Sequence, residues 1–418
     1  MTDNTEARII IVGAGHGGGN MAFSLRQAGH KGPIALYGDE PIAPYHRPPL
    51  SKAYLKGTAT MESLKLRPDA WYENHNVHLH PGRRVVAVDT ASRTVEVEDG
   101  ARESYDILVL ATGSRARTLE IPGSSLPGIF TLRTIADTDA IRSTVGPGRR
   151  LCIVGGGYIG LEAAASALSL GTEVTLLERE SRLLARVACE PLAAFFDKVH
   201  RQHGLEILTD VRVAGYAGHD HVSGVLLEDG SVIECDAALV GVGAVLNLDL
   251  AQQAGLVCEP GGVVVDTEAR TSDPHIYAVG DMTWRPMPIY GNRMFRLESV
   301  PNALEQARRA AHDIMGKAQP AHEVPWFWSD QYDVKLQIAG VPFDSDRLVI
   351  RGSTENHKFA IFHMGADNRI RAVEAVNMAG EFMAGRTLIA EGREVPEALL
   401  ADNNVSIKDI AKGTATAA

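Results

Sequence analysis

Cysteine is scarce in this chain. Cys152, Cys189, Cys235 and Cys258 are the only four in 418 residues, and no two stand at the spacing of a CxxC pair or a zinc knuckle. The expectation is four reduced, mostly buried thiols. Basic residues are in the minority, 41 Lys and Arg against 52 Asp and Glu, for a net charge of −11 with His neutral. This argues against nucleic acid as a partner, because phosphate binding needs a basic face. No charged-then-apolar signal region opens the chain, and no apolar run approaches the ~18 residues of a membrane span. The expectation is a soluble cytoplasmic protein with no membrane partner. The closing "KGTATAA" reads as a frayed tail.

Glycine, by contrast, is plentiful at 41 residues, which suggests tight turns and close backbone approaches. The length suggests two or three domains. An internal repeat organises the chain. "RIIIVGAGHGGGNMAFSLRQAGHKGPIALYGDE" begins at Arg8, and "RLCIVGGGYIGLEAAASALSLGTEVTLLERE" begins at Arg150. Each reads as apolar run, glycine cluster, apolar-periodic helix, apolar run. That is β–turn–α–β, twice. "RVVAVDT", "TVEVEDG" and "YDILVLATG" read as strands between the repeats. "VSGVLLEDGSVI" reads as a hairpin around "EDG", and a helix is expected from Pro301 to about Met315. Pro320 and Pro325 mark a linker, and "FAIFHMGADNRIRAVEAVNM" beyond it alternates as a strand pair. A small α+β domain closes the chain.

Each repeat carries a G-x-G-x-x-G fingerprint: Gly13, Gly15 and Gly18, then Gly155, Gly157 and Gly160. The first glycine makes the turn, the second admits a pyrophosphate to backbone N–H groups, and the third lets helix pack on strand. The helix N-terminus adds partial positive charge. One such motif is weak evidence. Two, each in strand–turn–helix–strand context, point to two dinucleotide sites. Tyr158 and Ile159 complete the second turn. The second repeat ends its next strand on Glu178, which suits ribose hydroxyls and repels a 2′-phosphate, favouring NAD over NADP. The other reading of Glu178 is a solvated acid. The first repeat has Gly38 at that place and Asp39 one further on. His16, inside the first glycine run, reads as a turn residue rather than a catalyst.

"LVLATGSRAR" (108–117) and "TSDPHIYAVGD" (271–281) resemble the accessory motifs of FAD- and NAD-dependent pyridine-nucleotide reductases. "PYHRPPLSK", "GGGYIGLE", "LESVPNALEQAR" and "PWFWSDQYD" narrow the resemblance to the NADH-dependent, FAD-containing ferredoxin reductase family of bacterial oxygenase systems. It spans Arg8 to about Ile410. It implies an α/β, glutathione-reductase-like fold with two Rossmann-type dinucleotide-binding domains and a small C-terminal α+β domain. The implied boundaries are 1–115 with 246–322 for FAD, 116–245 for NAD, and 323–418 for the C-terminal domain. FAD would lie at the first fingerprint, with contacts at Gly17, Asp39, Lys52, Val85, Arg133, Asp281 and Val300, those of Val85 and Val300 through backbone. Val85 reads equally as β core, and Asp281 as a turn or cap residue.

"PYHRPPLSK" (44–52) carries three prolines, so it can be neither helix interior nor central strand. Disulfide-reducing relatives carry cysteine in this region; here none stands between residues 41 and 52. The resemblance implies transfer from NADH through FAD, one electron at a time, to an acidic two-iron two-sulfur ferredoxin serving a haem monooxygenase. A ring-hydroxylating dioxygenase or a rubredoxin is the alternative destination; a redox-sensing flavoprotein is the alternative of another class. The resemblance sets Lys52 and Glu162 at the flavin's reactive edge, where a fixed ammonium stabilises arriving negative charge. The plainer readings are a surface lysine after a turn and a helix acid favoured by the dipole. Arg308, Arg309 and Lys408 are candidates for a basic docking patch, or solvated charges. Trp328 is a candidate for the ferredoxin face, or packing between domains.

Overall fold

A computed structural model describes residues 4–415, so the last three residues of "KGTATAA" lie outside the described residues; its first, Lys412, ends a helix. The first repeat folds as β1 (Ile9–Val12), α1 (His16–Gln27) and β2 (Ile34–Tyr37). Short helices α2 (Met61–Leu64) and α3 (Asp69–Asn74) lead to β3 (Val77–His80). A meander of β4 (Val85–Asp89), β5 (Thr94–Val97) and β6 (Arg102–Ser104) follows, then β7 (Ile107–Leu110). The parallel order β7–β1–β2–β3 buries β1 on both faces, which is why its residues are all apolar. Ile9 and Ile11 pack with Met21 and Leu25 of α1. Ile10 and Val12 pack with Val95 and Val97 of the meander.

The next stretch holds β8 (Ser114–Ala116), β9 (Ile129–Phe130) and α4 (Ile135–Arg142). The second repeat gives β10 (Arg150–Val154), α5 (Tyr158–Ser169) and β11 (Glu173–Leu177), then α6 (Glu190–Gln202) and β12 (Glu206–Leu208). A hairpin meander, β13 (Val213–Gly218), β14 (Val222–Leu227) and β15 (Val232–Glu234), precedes β16 (Ala237–Val240) and β17 (Ala244–Leu246). The order β12–β11–β10–β16–β9 repeats the winding of the first sheet. The two units share even their turn bond: Gly13 N–H donates to Tyr37 O and Gly155 N–H to Leu177 O, both at 2.8 Å. β17 pairs antiparallel with β8, so the two chain crossings between the units run side by side.

After α7 (Asp249–Gln253), β18 (Cys258–Glu259) and β19 (Gly262–Val264), strand β20 (Ile276–Ala278) returns to the first sheet and pairs with β7. β21 (Thr283–Met287) and β22 (Arg293–Phe295) lead to α8 (Val300–Ile314), whose Ala307, Ala310 and Ala311 pack with Met21 and Leu25 of α1. The Ser299 hydroxyl caps α8 by accepting from Asn302 N–H at 3.3 Å.

The last sheet is antiparallel, in the order β23 (Trp326–Gln331), β24 (Val334–Gly340), β27 (Ile370–Val376), β26 (Lys358–Met364) and β25 (Arg347–Ser353). One face, with Ala360, Phe362 and Val373, packs on α9 (Ala379–Glu391) and on α10 (Glu397–Ala401) and α11 (Ile407–Lys412). The other face, with Leu336, Phe359 and Ile361, packs on Phe195 and Phe196 of α6. Cys152 and Cys235 are buried, whereas Cys189 and Cys258 are only half-buried.

Candidate functional site

Both glycine turns stand where parallel strands end and helices begin. Gly13 and Gly155 have φ of +111° and +110°, a region closed to most side chains. A Cβ on Gly18 would strike the Gly13 carbonyl, and one on Gly160 the Gly155 carbonyl. Around Gly15 and Gly157 a Cβ would meet nothing within 4 Å. These two glycines are also the N-caps of α1 and α5, and neither helix has a side-chain cap. The free N–H groups facing open space fit a pyrophosphate at each turn. Gly17 is closed in, with Val279 at 3.2 Å from its Cβ direction, and Ile159 is exposed. His16 is the first residue of α1, not a turn residue. Its buried Nε2 has no hydrogen-bond partner, and burial lowers its pKa to about 3.

Glu178 lies at the end of β11, beside the second turn. It accepts from Gly156 N–H at 2.7 Å and from Glu180 N–H at 2.8 Å. In the first unit Gly38 holds the matching place, donating to His80 O as Glu178 N–H donates to Leu208 O. The sequence has glycine there because a Cβ would come within 2.6 Å of Ala14 Cβ. Asp39, one residue on, is exposed and adds to the field at Arg47. Val85 opens β4 with its side chain in the core, and Val300 is the first residue of α8.

The proline-rich stretch folds Pro48–Ser51 into one 3-10 turn. That turn delivers Lys52 to α5, where its Nζ donates to Glu162 Oε2 at 2.5 Å and to Pro48 O at 3.1 Å. Glu162 is 3% exposed, so it is no solvated helix acid. Its two oxygens are further bound by hydroxyls that sequence reasoning missed: Ser51 Oγ donates to Oε2 and Ser329 Oγ to Oε1, both at 2.6 Å. Ser51 sits inside the quoted stretch and Ser329 inside "PWFWSDQYD", but no spacing rule links them. The network runs on into β23 and α6. Gln331 Nε2 donates to Ser329 Oγ at 3.1 Å, and Gln331 Oε1 lies 2.7 Å from His200 Nε2. Tyr332 Oη lies 3.0 Å from His200 Nδ1. These donors all point one way with His200 neutral and its proton on Nε2. Burial lowers the His200 pKa to about 4, consistent with that state.

Past the carboxyl end of β20, on the same side of the first sheet as the Gly13 turn, Arg133 Nη2 and Ser114 Oγ each donate to Asp281 Oδ2 at 3.2 Å. The Arg133 carbonyl accepts from Arg47 Nη1 at 2.7 Å, and Arg47 Nη2 donates to Glu40 at 2.6 Å. Thus Asp281, Arg133 and the proline stretch form one wall, although they are scattered in sequence.

The docking residues separate. Arg308 is partly exposed and paired with Glu323 at 2.6 Å; Lys408 is exposed on α11. Arg309 does not belong to a docking patch. Its side chain is 2% exposed and donates to Thr267 O, Pro320 O and Glu268 at 2.7, 2.8 and 2.9 Å. Helical spacing turns adjacent residues about 100° apart, so Arg308 and Arg309 cannot share a face. Strand alternation likewise divides the aromatic triplet. Trp326 and Trp328 share one face with ring centroids 5.4 Å apart, while Phe327 on the other meets Tyr158 at 4.9 Å.

Two glycine turns of the dinucleotide type, the second opening the helix whose Glu162 holds Lys52, mark the class of two-dinucleotide oxidoreductases that use FAD and NADH. The chain belongs to the pyridine nucleotide-disulphide oxidoreductase family, whose model matches residues 7–307; a reductase C-terminal model matches 326–411. It is 49% identical to the probable ferredoxin reductase CtmF of Castellaniella defragrans, over 98% of this chain and 100% of that one. It is 41% identical to putidaredoxin reductase CamA of Pseudomonas putida, over 97% of each. Its structure resembles the reductase in a covalent putidaredoxin reductase–putidaredoxin complex, with TM-score 0.95, 40% identity and 99% of each chain covered.

Proposed function

We propose that this protein is an NADH-dependent ferredoxin reductase. The observation that carries this reading is that residues 41–52, the region in which disulfide-reducing relatives carry cysteine, hold no thiol and end instead on Lys52, which is paired with Glu162. FAD, when bound at the first turn, supplies hydride acceptance from NADH and release of single electrons. The chain's own residues bind, orient and balance charge. N–H groups of the first turn, including those of Gly15, Gly17 and Gly18, hold the pyrophosphate of FAD. Asp281 and Arg133, already paired, offer an acceptor and a donor to its polar chain, and Asp39 an acceptor to its ribose. Gly155, Gly157, Tyr158, Ile159 and Gly160 form the NADH turn, with Glu178 for the ribose. Lys52, clamped by Glu162 and Pro48 O, presents a fixed ammonium where negative charge develops; its arrangement costs no reorganisation during the reaction.

The return of β20 to the first sheet and the β8–β17 crossing support a split FAD domain, 1–115 with 246–322, around an NAD domain, 116–245, with 323–418 as the third. The partner is an acidic two-iron two-sulfur ferredoxin that serves a haem monooxygenase. Among the described residues no helix is long and apolar enough to cross a membrane, which fits a cytoplasmic electron carrier. The test is anaerobic stopped flow with NADH, followed by acceptor titration. Reduction of a two-iron ferredoxin at catalytic rates is expected. Turnover with rubredoxin alone would redirect the reading, and failure to turn over even ferricyanide would sink it in favour of a sensor.

A further inference from the structure

A second polar cluster lies where the NAD-side unit meets the C-terminal sheet. Cys189 caps the N-terminus of α6; His363 and Glu374 lie on the adjacent strands β26 and β27. His363 faces Ala372 and Ile361 faces Glu374 across the ladder, so His363 and Glu374 are diagonal neighbours on the face that looks toward α6. The Cys189 thiol donates to Glu374 Oε2 at 2.7 Å, and Cys189 N–H to Oε1 at 3.3 Å. His363 Nε2 is 3.5 Å from Oε2. His363 is only 5% exposed, yet that nitrogen makes no hydrogen bond. A buried imidazole nitrogen aimed without a bond at a carboxylate is a costly arrangement unless something bridges them. The three ligand atoms lie within 4.8 Å of one another.

We propose that Cys189, His363 and Glu374 bind a zinc-class divalent cation that ties the NAD-side unit to the C-terminal sheet. Sulfur, nitrogen and oxygen donors together suit Zn2+ and disfavour Mg2+ or Ca2+. Binding breaks the Cys189 S–H bond, forms a sulfur–metal bond and releases one proton to solvent. Thiolate and carboxylate then balance the cation's charge. Tetrahedral Zn–S, Zn–N and Zn–O lengths place ligand atoms about 3.5 Å apart. The His363–Glu374 separation already matches, and the sulfur, now 2.7 Å from Glu374 and within 4.8 Å of His363, must shift to complete the set. Cys189 is only half-buried, so the cluster is reached from solvent on the cysteine side. The Tyr158 hydroxyl, also buried without a hydrogen bond, feels the charges of Glu374 and Cys189, so the site borders the second dinucleotide turn.

The test dialyses the FAD-loaded full chain against Zn2+ and measures bound metal. One zinc per chain is expected, with sulfur scattering at about 2.3 Å in zinc X-ray absorption. Cys189→Ser and His363→Gln should each weaken binding at least tenfold, and Cys258→Ser, the other half-buried thiol, should not. Should Cys189→Ser fail to fold, His363→Gln with a normal flavin spectrum decides the matter. No stoichiometric zinc, equal loss in Cys258→Ser, or zinc without a sulfur neighbour would overturn the proposal.

Discussion

Lys52 and Glu162 show how one side chain is made useful by its neighbours. A lysine after a turn is ordinarily solvated; here a 3-10 turn and a buried carboxylate hold it still. Lys52→Ala should slow flavin reduction by NADH in stopped flow by roughly 30- to 1000-fold, the range for one lost electrostatic contact of about 2–4 kcal/mol. FAD content should stay full; an unchanged rate removes Lys52 from the mechanism. Glu178 bonds its own turn through Gly156 N–H, and the proposed function gives it a second duty toward the ribose. Glu178→Ala would confound them, whereas Glu178→Gln keeps an acceptor for the turn and removes the charge. Its expected result is a higher KM for NADH and a narrower gap to NADPH. A variant that discriminates as sharply as the parent assigns cofactor choice to other groups.

Elements join these residues into networks. Helix α6 brings His200 onto Gln331 and Tyr332 of the C-terminal domain, and through Ser329 onto Glu162. Burial holds His200 at about 4, below the ordinary 6.5. The unfolded chain therefore takes up a proton near pH 6.5 that the folded chain refuses. The contribution of His200 to stability is whole above about pH 6.5 and is lost as pH falls toward 4, by up to about 3 kcal/mol. Melting temperature measured from pH 7 to 4.5 should fall across that window, and a His200→Asn variant should show a flatter profile. Equal slopes would assign the acid sensitivity to other groups. Helix α8 acts differently on its two arginines. Arg309→Ala should destabilise by about 2–5 kcal/mol, read as a lower urea midpoint, because buried acceptors lose their donor. An unshifted midpoint would return Arg309 to the surface.

At the scale of the whole molecule, the proposed function has an acidic chain meeting an acidic ferredoxin, and on that reading local basic groups decide the approach. With Arg309 withdrawn into the core, Arg308 and Lys408 are the remaining candidates. Ferredoxin reduction should slow as salt shortens the Debye length toward ~3 Å at 1 M, while ferricyanide reduction changes much less. Arg308→Glu with Lys408→Glu should reproduce that slowing at low salt and leave NADH-to-FAD transfer intact. A rate indifferent to both salt and reversal places docking elsewhere.

Local pattern was enough for the two β–turn–α–β units, the glycine turns and the place of Glu178, because strand and helix periods and positive-φ turns are decided by neighbours in the chain. Lys52 and Glu162 were reached only through the resemblance of their motifs to a known family, because no local pattern pairs residues 110 positions apart. Ser51, Ser329 and Ser114 were not legible, since a hydroxyl becomes a partner only when distant segments meet. The same reason buried Arg309 and exposed Arg308: the alanine face of α8 was in the sequence, but the carbonyls of Thr267 and Pro320 and the Glu268 carboxylate that receive Arg309 beside it come from segments outside the helix. The tertiary structure alone brought those segments to it. It alone also set Cys189 against two strands nearly two hundred residues away, because long-range packing chooses such neighbours and no spacing encodes them.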